Sequence, residues 1–424
     1  MAQIHAHLNQ ISVSGNFGAP DVRPFVAVLH KVVRDRGYKN VTIDLTDLRA
    51  AFEVGILPIV PVVERYRLRD DCDVTLVLPA DQKLSALFVN TNWAHFLAPL
   101  QYAQSSMRSH LHLPAQNYRD LSTLSAAVDN IMNIVLNTIP DLQRTQLQAL
   151  EWSIQEISDN VLNHSRSDLG GYIQASTFSN RRLVEFVVCD GGVGIPTTLN
   201  MSSNHPLALE QAIKEGITRD PNSNAGNGLF GSLEVSRLSR GAFSINSYCG
   251  ALFLTNSGDV RSVYERVPYL GTSVTASISC SDSELLINAL TFKGKKHVMG
   301  FDYLDKQFGS SDTVLTFHMS AEAKSFGTRE VGRLMHNKIC TVMASDLSLP
   351  VVFDFKDVPI ISSSFADEVF GRLFADLGPM TFVSRFQFIN VNTTVRALVD
   401  RAIMQRASSD AYMRAQAHLD SKKK

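Results

Sequence analysis

The sequence is poor in cysteine and has no arrangement of it that suggests a metal centre. Its five cysteines, Cys72, Cys189, Cys249, Cys280 and Cys340, stand far apart. None belongs to a CxxC pair or a Cys/His cluster, so no zinc motif is present. Dispersed thiols in odd number fit a reducing compartment, where they pack as small hydrophobes. No charge of one sign dominates: 40 Lys and Arg face 41 Asp and Glu, a net of −1. A whole-molecule electrostatic case for nucleic acid or an anionic membrane is therefore absent, and neither partner is expected. Glycine (24) and proline (15) are sparse, only 19% of residues are charged, and no biased tract occurs. That excludes disordered, collagen-like and coiled-coil chains. Long apolar runs are also missing. The greasiest stretch, 56–63, carries Pro58 and Pro61 and is too short to span a bilayer. The first residues, Met1-Ala2-Gln3-Ile4-His5-Ala6-His7, lack the basic start and apolar run of a signal peptide. A soluble, cytoplasmic protein is expected.

What is present is material for several cores. Of 424 residues, 45% are apolar, and at roughly 150 residues per domain the length predicts two to four domains. Residues 41–45 and 73–78 read as short buried strands, each followed by a helix, near Val54 and Leu84. This alternation predicts a small α/β domain over 1–103. A polar stretch, with His110 and His112, predicts a linker over 104–120. Helical periodicity then runs over 121–165 with a break at Pro140, followed by strands at 171–176, 183–189, 242–248, 251–255 and 273–278. Helices followed by a mixed, mainly antiparallel sheet predict an α+β sandwich over 121–281, with a long polar loop, 197–227, inside it. A connector follows at 282–324, in which Lys293-Gly294-Lys295-Lys296 reads as a solvated turn. Residues 325–408 return to α/β alternation, and 409–424 form a basic tail. The first and last blocks share an apolar strand ending in aspartate, Ile43-Asp44-Leu45 and Phe353-Asp354-Phe355. Two copies of one small fold flanking a different central domain are expected.

Four central segments carry chemistry. In the run 151–164, Leu150, Ile154, Ile157 and Val161 make an apolar helical stripe. Glu156, Asn160 and His164 stand four apart, each about 40° round from the last, so a carboxylate, an amide and an imidazole form a second stripe. The second segment, Cys189-Asp190-Gly191-Gly192-Val193-Gly194-Ile195, ends a buried strand in a carboxylate. Its glycines permit close backbone approach by a ligand, or simply a tight turn. The third, Gly226-Asn227-Gly228-Leu229, opens a helix whose free N–H groups suit phosphate. The fourth is Gly271-Thr272, which singly means little.

In this order and at these separations the four resemble the GHKL-type ATP-binding domain of DNA gyrase B, heat-shock chaperone ATPases, MutL, sensor histidine kinases and anti-sigma-factor kinases. The likeness lies nearest the anti-sigma branch. Residues 156–160 resemble that family's N-box, 190–195 its DxGxGI box, 226–229 its GxGL box and Gly271-Thr272 its final glycine–threonine motif. The resemblance implies ATP and Mg²⁺ as cofactors. It implies Glu156 as the catalytic carboxylate, Asn160 as the metal ligand and Asp190 as acceptor of the adenine amino group. Gly192, Gly194 and Ile195 would lie beside the base, Gly226, Gly228 and Leu229 would cradle phosphates, and Thr272 would support the adenine. Residues 197–227 would be a lid. Sensor histidine kinases usually lack the acid and carry a phosphoacceptor histidine on a preceding hairpin; that histidine motif is absent here.

The stretch 351–374 resembles STAS and STAS-like domains, the fold of anti-sigma-factor antagonists. There a serine pair opening a helix is phosphorylated, and Ser363 and Ser364 stand at that place. The other reading, which the residues favour slightly, is a Ser-rich N-cap without phosphorylation. Phe365 departs from the usual glycine. The first block resembles this fold more faintly, and its corresponding segment, Ala51-Phe52-Glu53-Val54-Gly55, holds no serine. The resemblance implies a cytosolic bacterial signalling protein, a Mg-ATP switch with Ser/Thr kinase or slow ATPase activity acting on a protein partner through STAS-like domains. A gyrase B-like ATPase that closes as a homodimer, and a non-catalytic ATP sensor, are the alternatives.

Overall fold

The computed structural model describes residues 1–105, 113–140, 142, 144–214, 228–282, 284–292, 295–296, 303, 314–322, 326–345 and 349–421, with backbone alone at 144–145, 291–292, 295–296, 344–345 and 409–421. The chain is mixed α/β. It divides into two compact units, Met1–Val135 with Thr145–Met299, and Leu136–Arg144 with Gly300–Lys424.

Among the described residues the first unit contains two five-stranded sheets and a two-stranded one, Thr291–Phe292 with Lys295–Lys296, so that the last two residues of the expected solvated turn are strand. Strands Ala2–His7 and Gln10–Phe17 form an antiparallel hairpin, and Gln10–Phe17 then runs parallel to Asn40–Asp44, which runs parallel to Asp73–Val77. A fifth strand, Leu48–Ala51, pairs with the end of Gln10–Phe17. Parallel neighbours need crossovers, supplied here by helices Val22–His30 and Glu53–Arg69. The second crossover runs through Pro58 and Pro61 as one continuous helix. A proline inside a helix leaves the carbonyl four residues earlier without its usual donor. Pro61 thus leaves the Leu57 carbonyl open, and the Cys189 thiol, at 3.4 Å, donates to it.

The second sheet is antiparallel at every pairing, in the order Gln116–Tyr118, Gly171–Phe178, Leu183–Asp190, Val260–Ser279, Phe243–Leu254. Two expectations change here. Gln116–Tyr118, placed by sequence in the linker, is the edge strand; Asn117 bonds the Leu169 and Gly171 carbonyls at 2.9 and 3.1 Å. The separate strands expected at 242–248 and 251–255 are one twelve-residue strand, Phe243–Leu254. Gly250 lies within it, where a side chain would crowd the His205 carbonyl. His110 and His112 lie outside the described residues.

Successive strand residues point to opposite faces, and both faces of this sheet are covered. Val184, Phe186 and Val188 are at most 1% exposed. Tyr118, opposite Gly171 at the sheet edge, reaches the helix layer, its hydroxyl bonding the Ser158 carbonyl on helix Arg144–His164 at 3.1 Å. Val187 and Cys189 turn the other way, and with Leu169, Tyr172 and Tyr269 they belong to one apolar cluster with the N-terminal core. Polar bonds pin this junction. Trp93 Nε1 donates to Gln174 Oε1 at 2.7 Å, and the Tyr269 hydroxyl donates to the Pro58 carbonyl at 2.9 Å. Arg23 donates to the carbonyls of Tyr248 (2.8 Å), Gly250 (2.9 Å) and Val267 and to Asn246 Oδ1 (3.1 Å). The N-terminal block is thus packed on the sheet, not strung beside it.

Among its described residues the second unit holds three parallel strands, Leu315–His318, Val351–Asp354 and Phe386–Ile389, in that order. Leu315–His318 falls in the expected connector, so this α/β fold begins before residue 325. Leu285–Ala289, from the same connector, is a helix packed against Gly228–Leu238 in the first unit. Phe353, Phe355, Phe365, Phe370 and Phe388 form an aromatic core with ring centroids 5.3 to 6.4 Å apart in the pairs they make, the spacing of edge-to-face and offset packing. The last helix, Thr393–Ser421, runs through most of the expected tail. Among the described residues no helix is long and apolar enough to cross a membrane.

Candidate functional site

Helix Arg144–His164 is the axis of the site. Its apolar stripe is buried, Leu150 and Ile154 at 0%, Ile157 at 2% and Val161 at 7%, which leaves Glu156 and Asn160 half-buried at the edge. Neither side chain has a hydrogen-bond partner among the described residues. Burial, and secondarily the Asp159 charge, push the Glu156 carboxyl above its ordinary range. An uncommitted acid whose pKa is raised toward neutrality is suited to proton abstraction.

Two glycine-opened elements meet this helix at different heights. Gly228 begins helix Gly228–Leu238 against Glu156, so that a Cβ there would strike the carboxylate. One turn further, Gly231 packs on the Trp152 ring. Beyond the helix C-terminus, Val193 N–H donates to the Ser165 carbonyl at 2.7 Å, and a Cβ on Gly192 would collide with that same oxygen. Ser165 lies nine residues beyond Glu156, about 14 Å along the axis at 1.5 Å per residue. Asn160 falls between them. Leu229 is half-buried; Gly226 lies outside the described residues, as does 215–227 of the expected lid. The earlier part of that stretch is ordered as two short helices, Gly194–Thr198 and His205–Ala212, the second held by Cys249 N–H donating to His205 Nδ1 at 3.1 Å.

Asp190 ends its strand at 2% exposure, opposite Thr272 on one side and Gly171 on the other. Burial drives its pKa to about 7, against the Gly192 and Thr272 N–H groups, which favour the charged form. Gly192 N–H donates to Oδ1 at 2.7 Å. Gly271 has φ +105°, and a Cβ there would run into the Asp190 carbonyl, a conformation and a contact open to glycine alone.

Ser247, which sequence inspection passes over, ties these pieces together. Fully buried, its hydroxyl accepts from Ile195 N–H at 3.0 Å, donates to the Gly271 carbonyl at 2.7 Å and lies 3.3 Å from Thr272 Oγ1. Gly194 passes beside it and the Tyr248 ring. An isolated serine within a strand gives no sequence signal. Also missed is the brace from behind: Arg65 Nη1 lies 3.4 Å from the Gly191 carbonyl. Replacing Gly192 by alanine is expected to destabilise the first unit by about 1–3 kcal/mol, the usual cost of overpacking. Denaturant unfolding checks this, and an unchanged midpoint would mean the loop is not seated on Ser165.

In the second unit Val351–Asp354 leads through a turn to a helical stretch opening at Ser363. Asp354 Oδ1 accepts from Lys356 N–H at 3.0 Å and Asn390 Nδ2 at 2.8 Å, and these bonds hold its carboxyl below the usual range. Asp44 makes the same turn, accepting from Thr46 N–H at 3.0 Å, so the shared strand–aspartate motif is also a shared conformation. Ser362 is the N-cap, accepting from Phe365 N–H at 3.0 Å. Ser363 is then the first helical residue and exposed, and Ser364 is half-buried.

Residues 336–396 match a STAS-like domain of unknown function, DUF4325. No curated protein matches the chain. The STAS-like match spans the Asp354 strand, the Ser363 helix and the strand Phe386–Ile389. Its Phe365, where glycine is usual, is fully buried and packs edge-to-face on Phe326 at 5.1 Å. The substituted position is a core position here. In the N-terminal block, Phe52, 50% exposed, occupies the residue before helix Glu53–Arg69 and makes no side-chain cap.

Proposed function

We propose that residues 121–281 bind Mg-ATP and that the protein is a nucleotide-dependent signalling switch with Ser/Thr kinase or slow ATPase activity, acting on a protein partner through STAS-like modules. The observation that carries this reading is the pair of contacts along one helix, Gly228 at Glu156 and the Asp190 loop on Ser165, with the Asn160 side chain, unpartnered among the described residues, between them in sequence. The separation suits an extended triphosphate with its base at the helix C-terminus.

In this reading the Asp190 carboxylate accepts the adenine amino group, and the free N–H groups opening helix Gly228–Leu238 bind phosphate oxygens. Asn160, whose amide oxygen is a hard, uncommitted donor, would hold magnesium. Magnesium there would neutralise phosphate charge and align the phosphates for transfer. Glu156 orients the attacking hydroxyl, of serine or of water, and takes its proton.

The test is calorimetry of the full chain with ATP and magnesium. Asp190 has pKa about 7 in the free protein, and an amino donor stabilises its charged form. Binding should therefore release a proton below pH 7, and affinity should rise as pH increases through that value. The released proton appears as a buffer-dependent heat that Asp190→Asn removes. Absence of uptake at any pH would end the proposal.

A further inference from the structure

Away from the Glu156–Asp190 row, the first unit has a cavity of about 310 Å³ where helix Glu53–Arg69 meets the edge of the antiparallel sheet. Its walls come from four chain segments. Glu64 and Arg67 belong to the helix, His95 and Phe96 to Trp93–Leu97, Arg119 follows the edge strand, and Tyr172 lies on the next strand. We propose that this cavity binds a small planar organic anion, an aromatic ring bearing a carboxylate or phosphate group.

The argument is one of unspent donors beside a half-buried aromatic side chain. Arg67 makes a long contact with Glu64, 3.5 Å, and its Nη1 is buried with no hydrogen-bond partner among the described residues. Leaving such a group unsatisfied costs about 1–3 kcal/mol, more when charged. Arg119 spends its Nε on Asn117 Oδ1 at 3.2 Å, and neither terminal nitrogen has a partner among the described residues. His95 places Nδ1 2.9 Å from the Tyr102 carbonyl, which fixes the proton there and leaves Nε2 as the other ring atom. Arg67, Arg119 and His95 all act on one acid, Glu64, and burial pushes that acid toward its neutral form. Two guanidinium groups against one disfavoured carboxylate leave a positive cavity, and guanidinium is the group that matches carboxylate and phosphate in bidentate fashion. Phe96 is half-buried, backed edge-to-face at 5.2 Å by the buried Tyr172 ring, and is the aromatic side chain available to a flat ring. The volume is at the small end of ligand pockets, which selects a mono- or bicyclic molecule.

The probes are 1-naphthoate and 1-naphthyl phosphate, titrated into the full chain by fluorescence, with inorganic phosphate as the head group alone. At least one naphthyl probe should bind with Kd below about 1 mM, and inorganic phosphate should bind at least tenfold more weakly. Preference for one naphthyl probe identifies the head group. Arg119→Ala, at an exposed position that leaves packing intact, should weaken binding at least tenfold, and Arg67→Ala likewise. Asp190→Asn should leave it unchanged, so failure here is distinguishable from failure of the nucleotide reading. Lack of binding by both naphthyl probes, inorganic phosphate binding as tightly as they do, or binding unaffected by either arginine variant, overturns the proposal.

Discussion

Glu156→Gln is expected to keep Mg-ATP affinity within about threefold of wild type while phosphoryl transfer falls about 10²–10⁴-fold, the usual contribution of a positioned general base. The neutral amide fills the same space beside Gly228 and keeps the helix stripe intact, so binding has no reason to fail. The measurement is incubation with Mg-ATP followed by intact mass and free phosphate. Added mass lost in Glu156→Gln and in Ser363→Ala identifies self-phosphorylation, whereas free phosphate without added mass identifies hydrolysis. Asn160→Ala separates the metal from the base, because it should reduce affinity only when magnesium is present. Equal turnover in wild type and Glu156→Gln would remove the acid from the chemistry.

A second large effect is expected from the junction in the first unit. Removing residues 1–103 uncovers Leu169, Tyr172, Val187, Cys189 and Tyr269, all in the apolar cluster shared with the N-terminal core. At about 1.5–3 kcal/mol per fully buried large side chain, the four other than Cys189 amount to roughly 6–12 kcal/mol, comparable with the whole stability of a domain. The truncated chain should be insoluble or lack a cooperative transition, and the intact first unit should melt as one. Arg23→Ala should move the same way by a smaller amount, since it strips four acceptors of a shared donor. A truncated protein with its own sharp melting transition would show that the sheet needs no such cover.

The sequence made some of this legible and hid the rest for physical reasons. Short β-branched runs such as 41–45, 73–78 and 351–355 admit few readings, and they are strands at nearly those bounds. The serine-opened helix of the STAS-like domain was visible because hydroxyl, helix start and preceding strand lie close in sequence. Gln116–Tyr118 was hidden because three edge residues show no periodicity. Pro58 and Pro61 looked like interruptions, whereas the carbonyl left open by Pro61 is used across the junction. The packing of the N-terminal block was illegible because a strand buried on both faces does not reveal what buries it. Ser165, Ser247 and Trp152 escaped notice because each acts by touching a glycine distant in sequence. The proposed ATP site rests on motif order, with the contact of Gly228 and Glu156 in its support, and binding experiments test it.

Phe365 anchors the first turn of the Ser363 helix in the aromatic core. Wedged among Phe326, Phe370 and their neighbours, it fixes the first turn in place while Ser362 already occupies the capping bond. A phosphate attached at Ser363 would meet a helix start already capped by Ser362 and anchored by Phe365. Its charge would be displayed outward on that anchored turn, so any message it carried would have to be read by another molecule touching that surface.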